Sequence, residues 1–217
     1  MLPSSIQRVI IVGAGGFGRE VLAWARAAWP GDASRVAGFL SADPRVLVGH
    51  ACGVGIVGDP GTYMPAAGDA FLLAIGIPAV RRRVAESLLD RGAEFLSLVH
   101  PTAIVAPTAT LGPGAIVCPH AIVSDSARLG RCVLVNYHAS LGHDASAGDY
   151  CVLSPYASLG GRARAAEDVF LGMHASIGPG RTVGPRSKVS ANSCALVDVP
   201  SDRIVYGVPG RVGPLLP

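Results

Sequence analysis

The sequence predicts a two-part fold: a small Rossmann-like parallel α/β unit over residues 1–100 and a three-sided parallel β-helix over residues 101–196, followed by a C-terminal tail, 197–217. Two observations carry this. The first is a period of six. Stepping by six from Val105 through Leu111 and Val117 to Val189 meets an apolar residue fifteen times with no break in phase. Four residues after each comes a small or β-branched one, such as Ala115, Ala121 or Val133, until Arg181 ends the run. That period suits neither a helix nor a simple alternating strand. It is the pattern of hexads that each form one short strand and a turn. The second observation is the alternation of strand-like and helix-like stretches over the first hundred residues, which implies a parallel sheet.

Arg8–Val12 is a β-branched run suited to a buried parallel strand. Gly13-Ala-Gly-Gly-Phe-Gly18 follows, and Arg19–Trp29 reads as a helix with Val21, Leu22 and Ala25 facing the sheet and Pro30-Gly31 stopping it. Arg35–Leu40 and Ala70–Ile75 read as strands, Ile56–Pro60 as a short strand closing on a turn, Val80–Arg91 as a helix capped by Gly92, and Phe95–Val99 as a last strand. Three hexads make a coil, so residues eighteen apart stack and fifteen hexads give five coils. Stacking builds a core that no single coil has. Glycine in the slot after the large apolar residue, as at Gly112, Gly130 and Gly142, is expected to supply turn conformations closed to other residues.

Half of the 217 residues are hydrophobic and the 28 glycines are largely periodic, which excludes a disordered chain. No apolar run reaches the ~18–20 residues of a membrane span, and no signal-peptide pattern opens the chain, so a cytoplasmic location is expected. The five cysteines are scattered with no CxxC, which points to buried thiols and away from disulfides or zinc. A net charge of +3 is too small to argue for nucleic acid and is compatible with small anions.

The GxGxxG match at Gly13–Gly18 lies between a strand and a helix, where Gly13, Gly15 and Gly16 let the backbone approach a phosphate. A dinucleotide site would carry an acid about 20 residues on. That neighbourhood reads Phe39-Leu40-Ser41-Ala42, with the first acid at Asp43, which disfavours NAD. A phosphate-binding turn and a purely structural tight turn both remain open. Arg81, in the first turn of the second helix, is a candidate phosphate contact; Arg81–Arg83 otherwise reads as a solvated face.

His143 occupies the third slot of Leu141-Gly142-His143-Asp144, outside the apolar stack. Asp144 beside it stabilises a protonated imidazole, and such a histidine suits a general base. Asn136, on the previous hexad, can orient the histidine or a substrate. The eighteen-residue rule places Asp125 one coil below His143 and Gly161 one coil above, where a backbone N–H can meet a developing oxyanion. The alternative is that His143 is a solvated turn residue. His120, His138 and His174 all take the fourth slot, and His120 should stack on His138. The pair His138 and His143 also resembles the ligand pair of γ-class carbonic anhydrases. Their third histidine would fall at Thr102, so the metal set is incomplete and no metal is expected.

Taken together, Ile11–Glu20, Gly58-Asp59, Ala74-Ile-Gly76 with Arg81, His100-Pro101, the hexads, Gly142-His143-Asp144 and Gly207-Val-Pro-Gly-Arg211 resemble the sialic-acid O-acetyltransferase-like family, including its nucleotide-sugar N-acetyltransferases. The resemblance covers nearly the whole chain. It implies a left-handed β-helix and a homotrimer with sites between adjacent β-helices, and acetyl-CoA as co-substrate. It implies transfer to an amino or hydroxyl group of a nucleotide-linked sugar held by the N-terminal domain. It makes His143 the catalytic base, Asp144 its acidic neighbour and Asn136 an active-site residue. It also implies nucleotide contacts at Phe17 and Ser41, and CoA contacts at Gly161, Met173, Gly207 and Arg211. Many relatives have His at Phe17, an Asp pair at Ser41-Ala42 and a second His at Val152. The rival readings are a γ-carbonic-anhydrase-like metalloenzyme and a non-catalytic trimeric nucleotide-binding protein.

Overall fold

The structure, a computed structural model, describes residues 1–215. Its N-terminal sheet has four parallel strands: β1 (Arg8–Val12), β2 (Val36–Leu40), β3 (Ile56–Gly58) and β4 (Asp69–Leu73), in the order β3-β2-β1-β4. The chain runs from β1 to β3 on one side and returns to place β4 on the other, so the strand order switches at β1 and β4. In such a sheet, ligands bind at the C-terminal strand ends beside the switch. α1 (Gly16–Ala28) buries Val21, Leu22 and Ala25, as expected. It starts inside the glycine run, three residues before the sequence reading put it. α2 (Pro78–Leu89) begins on Pro78, whose missing N–H costs nothing in a first turn. β4 ends at Leu73, short of the expected Ile75.

From Leu98 the chain winds into a solenoid with three parallel faces. The first holds β5 (Leu98–Val99), Ile116–Val117, Leu134–Val135, Val152–Leu153, Phe170–Leu171 and Lys188–Val189. The second runs from Ile104–Val105 through Ser140–Leu141 to Cys194–Ala195, and the third from Thr110–Leu111 to Thr182–Val183. Each pairing joins residues eighteen apart, such as Leu141 with Leu159. The expected Phe95–Val99 strand divides in two. Phe95 bridges Phe71 of β4, while Leu98–Val99 already pairs with Ile116–Val117. At the other end Arg203–Tyr206 adds a further strand to the first face and pairs antiparallel with Arg211–Pro214. The tail is therefore structured through Pro214. The interior is a continuous stack of small and aliphatic side chains, from Ala115 and Val117 to Val205.

One expectation is corrected. The glycines after the large apolar residue are not in left-handed conformation. A side chain at most of them would run into the main chain of the next coil, as at Gly112, 2.5 Å from the Gly130 carbonyl carbon. The left-handed turn falls two residues later. Every fourth-slot residue from Gly114 to Asn192 has φ between +52° and +75°, and most are not glycine. From Cys132 to Asn192 each donates its N–H to the third-slot carbonyl one coil below, as Asp144 does to Asp125 at 2.9 Å and Arg162 to His143 at 2.8 Å, while His120 and Ser126 donate to the Thr102 and Thr108 hydroxyls. That bond offsets the roughly 1–2 kcal/mol a side chain costs in this conformation. The third-slot N–H takes no part in the main-chain bonding between coils, which is why proline is tolerated there at Pro107, Pro113, Pro119, Pro155, Pro179 and Pro185.

The α/β unit sits edge-on against the first face. α1 and one side of the sheet pack on Leu98, Ile116, Leu134 and Val152; α2 and the other side pack on Cys132 and Tyr150.

Candidate active site

The glycine loop divides by physical role. Gly13 has φ +105°, and a side chain there would meet the Ala74 carbonyl oxygen at 2.6 Å. A side chain at Gly18 would collide with the Gly13 carbonyl. These two are demanded by the tight strand–helix turn. A side chain at Gly15 would meet nothing within 4 Å, and one at Gly16 would meet only the Arg19 guanidinium, at 3.9 Å. Gly15 is the N-cap of α1 and contributes no side-chain cap, which leaves the first N–H groups of the helix free. Phe17 is held edge-on to Trp24, ring centroids 5.9 Å apart. Ser41 lies across from the loop, but its hydroxyl is spent within its own turn, bonded to the Asp43 carbonyl and N–H at 3.0 and 3.1 Å. Beyond Ser41 opens a pocket of about 710 Å³ walled by Leu47, Val48, Ile56 and Asp59. A second cleft of about 650 Å³ separates the start of α2, at Ile77 and Pro78, from Phe170 and Lys188 on the solenoid.

Arg81 is a correction. It is fully buried, and its guanidinium donates to the main-chain carbonyls of Cys132 (2.6 Å), Leu73 (2.7 Å) and Ile75 (2.8 Å). Burial pushes its pKa down to about 10, so it stays charged at neutral pH. It ties α2 and the end of β4 to a solenoid corner and presents no donor to solution. The sequence places Arg81 on the helix but cannot show that the solenoid covers that side. Arg82, next to it, shares its Nε–H between the two carboxylate oxygens of Asp168 of the solenoid at 2.8 and 3.0 Å.

His143 stands at the corner between the second and third faces, with its side chain 58% exposed. Its Nδ1 lies 2.9 Å from Asp144 Oδ2. With the proton on Nδ1 donated to that carboxylate, Nε2 carries the lone pair, as a base requires. The stacking rule holds: Asp125 lies beneath and Gly161 above. Asp125 is engaged elsewhere, accepting from Thr108 Oγ1 at 2.6 Å. The Gly161 N–H makes no main-chain hydrogen bond. The same corner continues upward through Pro179 to the exposed Leu196 and Val197, flanked by Arg162 and by the Arg181–Asp198 ion pair.

Asn136 is not brought to His143 within the chain. It sits at the corner between the first and second faces, one strand away, and its Oδ1 accepts from the Tyr137 N–H at 2.8 Å. At that corner His120, His138, Tyr156 and His174 form one ladder of stacked rings, with centroids 5.1, 4.8 and 4.7 Å apart. The eighteen-residue spacing points to Tyr156 and His174 as well as the expected His120–His138 pair. His138 lies within this stack, and no three His, Cys, Asp or Glu side chains converge to hold a metal among the described residues. Met173 is exposed at the same corner. Gly207, φ +84°, and the exposed Arg211 lie in the final hairpin. No helix among the described residues is long and apolar enough to cross a membrane.

Comparison with known proteins assigns a class to this three-sided solenoid with a carboxylate-paired histidine at one corner. The family described as "PglD N-terminal domain" matches residues 8–88. The crystal structure of PerB from Caulobacter crescentus, in complex with CoA and GDP-perosamine, superposes with a TM-score of 0.84 at 30% identity, covering 95% of this chain and 97% of that one. The acetyltransferase domain of PglB from Neisseria gonorrhoeae, in complex with acetyl coenzyme A, gives 0.85 at 27% identity over 95% and 98%. The UDP-N-acetylbacillosamine N-acetyltransferase of Bacillus subtilis is 40% identical over 47 residues, a stretch that spans 22% of each chain. The chain belongs to the nucleotide-sugar N-acetyltransferase family of acyltransferases.

Proposed function

We propose that this protein transfers the acetyl group of acetyl-CoA to the amino group of a nucleotide-linked amino sugar, with His143 as general base. The observation that carries the assignment is the His143 corner. Asp144 fixes the Nδ1–H tautomer, Nε2 is left basic, and the coil above offers a side-chain-free N–H at Gly161. Nε2 takes a proton from the attacking amine, the amine adds to the thioester carbonyl, and the Gly161 N–H stabilises the oxygen that gains charge. Collapse of this intermediate expels the CoA thiolate. This direct attack needs no acyl-enzyme. Three cysteines are buried, and burial pushes Cys132 up to about 11 and Cys151 up to about 12 and raises Cys118 well above the ordinary thiol value, so none supplies a thiolate.

The corner from Gly161 through Pro179 to Leu196 suits the pantetheine arm, with Met173, Gly207 and Arg211 as further CoA contacts. The open N–H groups at Gly15 and Gly16 suit the sugar's diphosphate, and Phe17 and the pocket beside Ser41 suit its nucleoside. His143 lies at the corner opposite the first face, which carries the α/β unit. A sugar nucleotide held by that unit therefore reaches the histidine of another copy, which supports a homotrimer with its sites between subunits. A cytoplasmic location fits these substrates.

The test is thiol release from acetyl-CoA across a panel of nucleotide-linked amino sugars. His143→Ala should lower kcat by about 10²–10⁴-fold with Tm unchanged. Turnover within a few-fold of the unmodified protein removes His143 from the mechanism.

A further inference from the structure

The solenoid glycines can be sorted by what a side chain would meet. At Gly112, Gly142, Gly148, Gly160, Gly172 and Gly184 it would lie 2.5–2.8 Å from main-chain atoms of the next coil, so the stacking of coils requires glycine there. Gly114 and Gly180 sit at fourth-slot turns with positive φ. Gly161 fits neither group. Its φ is not positive, and no main-chain atom is among the three nearest to a side chain placed there. All three belong to the His143 imidazole: Nε2 is closest, then Cε1 at 2.8 Å and Cδ2 at 3.0 Å. The neighbouring third slots hold Asp125, Glu167 and Met173, so the coil itself accepts large residues at this position.

From this we infer that Gly161 is a positioning residue for His143: the space where its side chain would be is the seat of the imidazole. Asp144 holds one edge of the ring through Nδ1, and Gly161 receives the edge bearing Nε2. The ring thus lies against the coil above, with its basic nitrogen beside the free Gly161 N–H. Base and oxyanion donor are brought together by the absence of one methyl group. This inference rests on the reading of His143 as the base and goes further, because it assigns a role to the missing side chain and not to the N–H.

Gly161→Ala keeps the N–H and asks nothing unusual of the backbone, so Tm should stay level or rise. The imidazole is displaced by about a methyl radius, and kcat should fall by about 10²-fold while KM for acetyl-CoA changes little. If Gly161 acts only through the histidine, Gly161→Ala combined with His143→Ala should be no slower than His143→Ala alone. Gly148→Ala serves as the control for an architectural glycine, and should lower Tm while the folded fraction keeps its kcat. Gly161→Ala within about 3-fold of the unmodified kcat, beside a slow His143→Ala, overturns the inference and spares the base. Additive losses in the double variant, or a raised KM with unchanged kcat, overturn it too, because Gly161 would then act on the substrate directly. A fully active His143→Ala overturns the base assignment instead.

Discussion

Replacing Arg81 with Met separates two readings of one residue. As a phosphate ligand, Arg81 would affect acceptor binding and leave stability alone. As observed, it is buried and holds the carbonyls of Cys132 and Leu73 in sites closed to water, with Ile75 at the margin. A hydrogen bond from a charged donor contributes about 1.5–3 kcal/mol, so two such bonds amount to roughly 3–6 kcal/mol. Methionine avoids the cost of burying a guanidinium, which recovers part of that. A net loss of about 2–4 kcal/mol remains. For a chain of this size each kcal/mol moves Tm by about 2–4 °C, so a fall of about 4–16 °C is expected. Because Arg81 bridges the two parts of the molecule, the α/β unit should melt ahead of the solenoid. Calorimetry would show two transitions where the unmodified protein has closer or coincident ones. A Tm within 2 °C of the starting protein, together with a KM for the acceptor raised about tenfold or more, would refute this account and restore the phosphate role.

Other outcomes are expected. With a thiol reagent at pH 8 the native protein should show fast reaction only at Cys52 and Cys194, the remaining three responding on unfolding; a third fast thiol contradicts their burial. Leu153→Ala, in the solenoid interior, should cost about 2–5 kcal/mol by chemical denaturation, and a loss under 1 kcal/mol would mean the interior repacks more freely than this stack implies. His100 titrates below its ordinary value, mainly through burial and then through His120. Its unfolded form therefore takes up a proton first as pH falls. The stability it contributes is full above about pH 6.5 and fades below, and His100→Asn should flatten that part of the stability–pH curve.

Much of the fold could be read from spacing alone. Parallel stacking ties residue i to residue i+18, so Leu141 over Val123, Gly161 over His143 and His138 over His120 are consequences of an unbroken period. The candidate base was legible for the same reason: once core slots are assigned, a histidine in the third slot has only the surface to face. Less legible were positions whose meaning depends on a neighbour far away in sequence. Ser41 looked available, yet its hydroxyl closes a turn with Asp43. Asn136 lay seven residues from His143, but a prism corner separates them.

The sequence by itself thus determined the repeat, the register and the glycine loop, because each is a local or strictly periodic property of a chain that must bury one apolar residue in every six. Only the tertiary structure decided that Arg81 is a buried clamp and that the α/β unit lies opposite the His143 corner. It alone decided that the His143 imidazole sits where a Gly161 side chain would lie. These depend on packing between segments with no common period, which burial and steric exclusion settle only once the chain has folded.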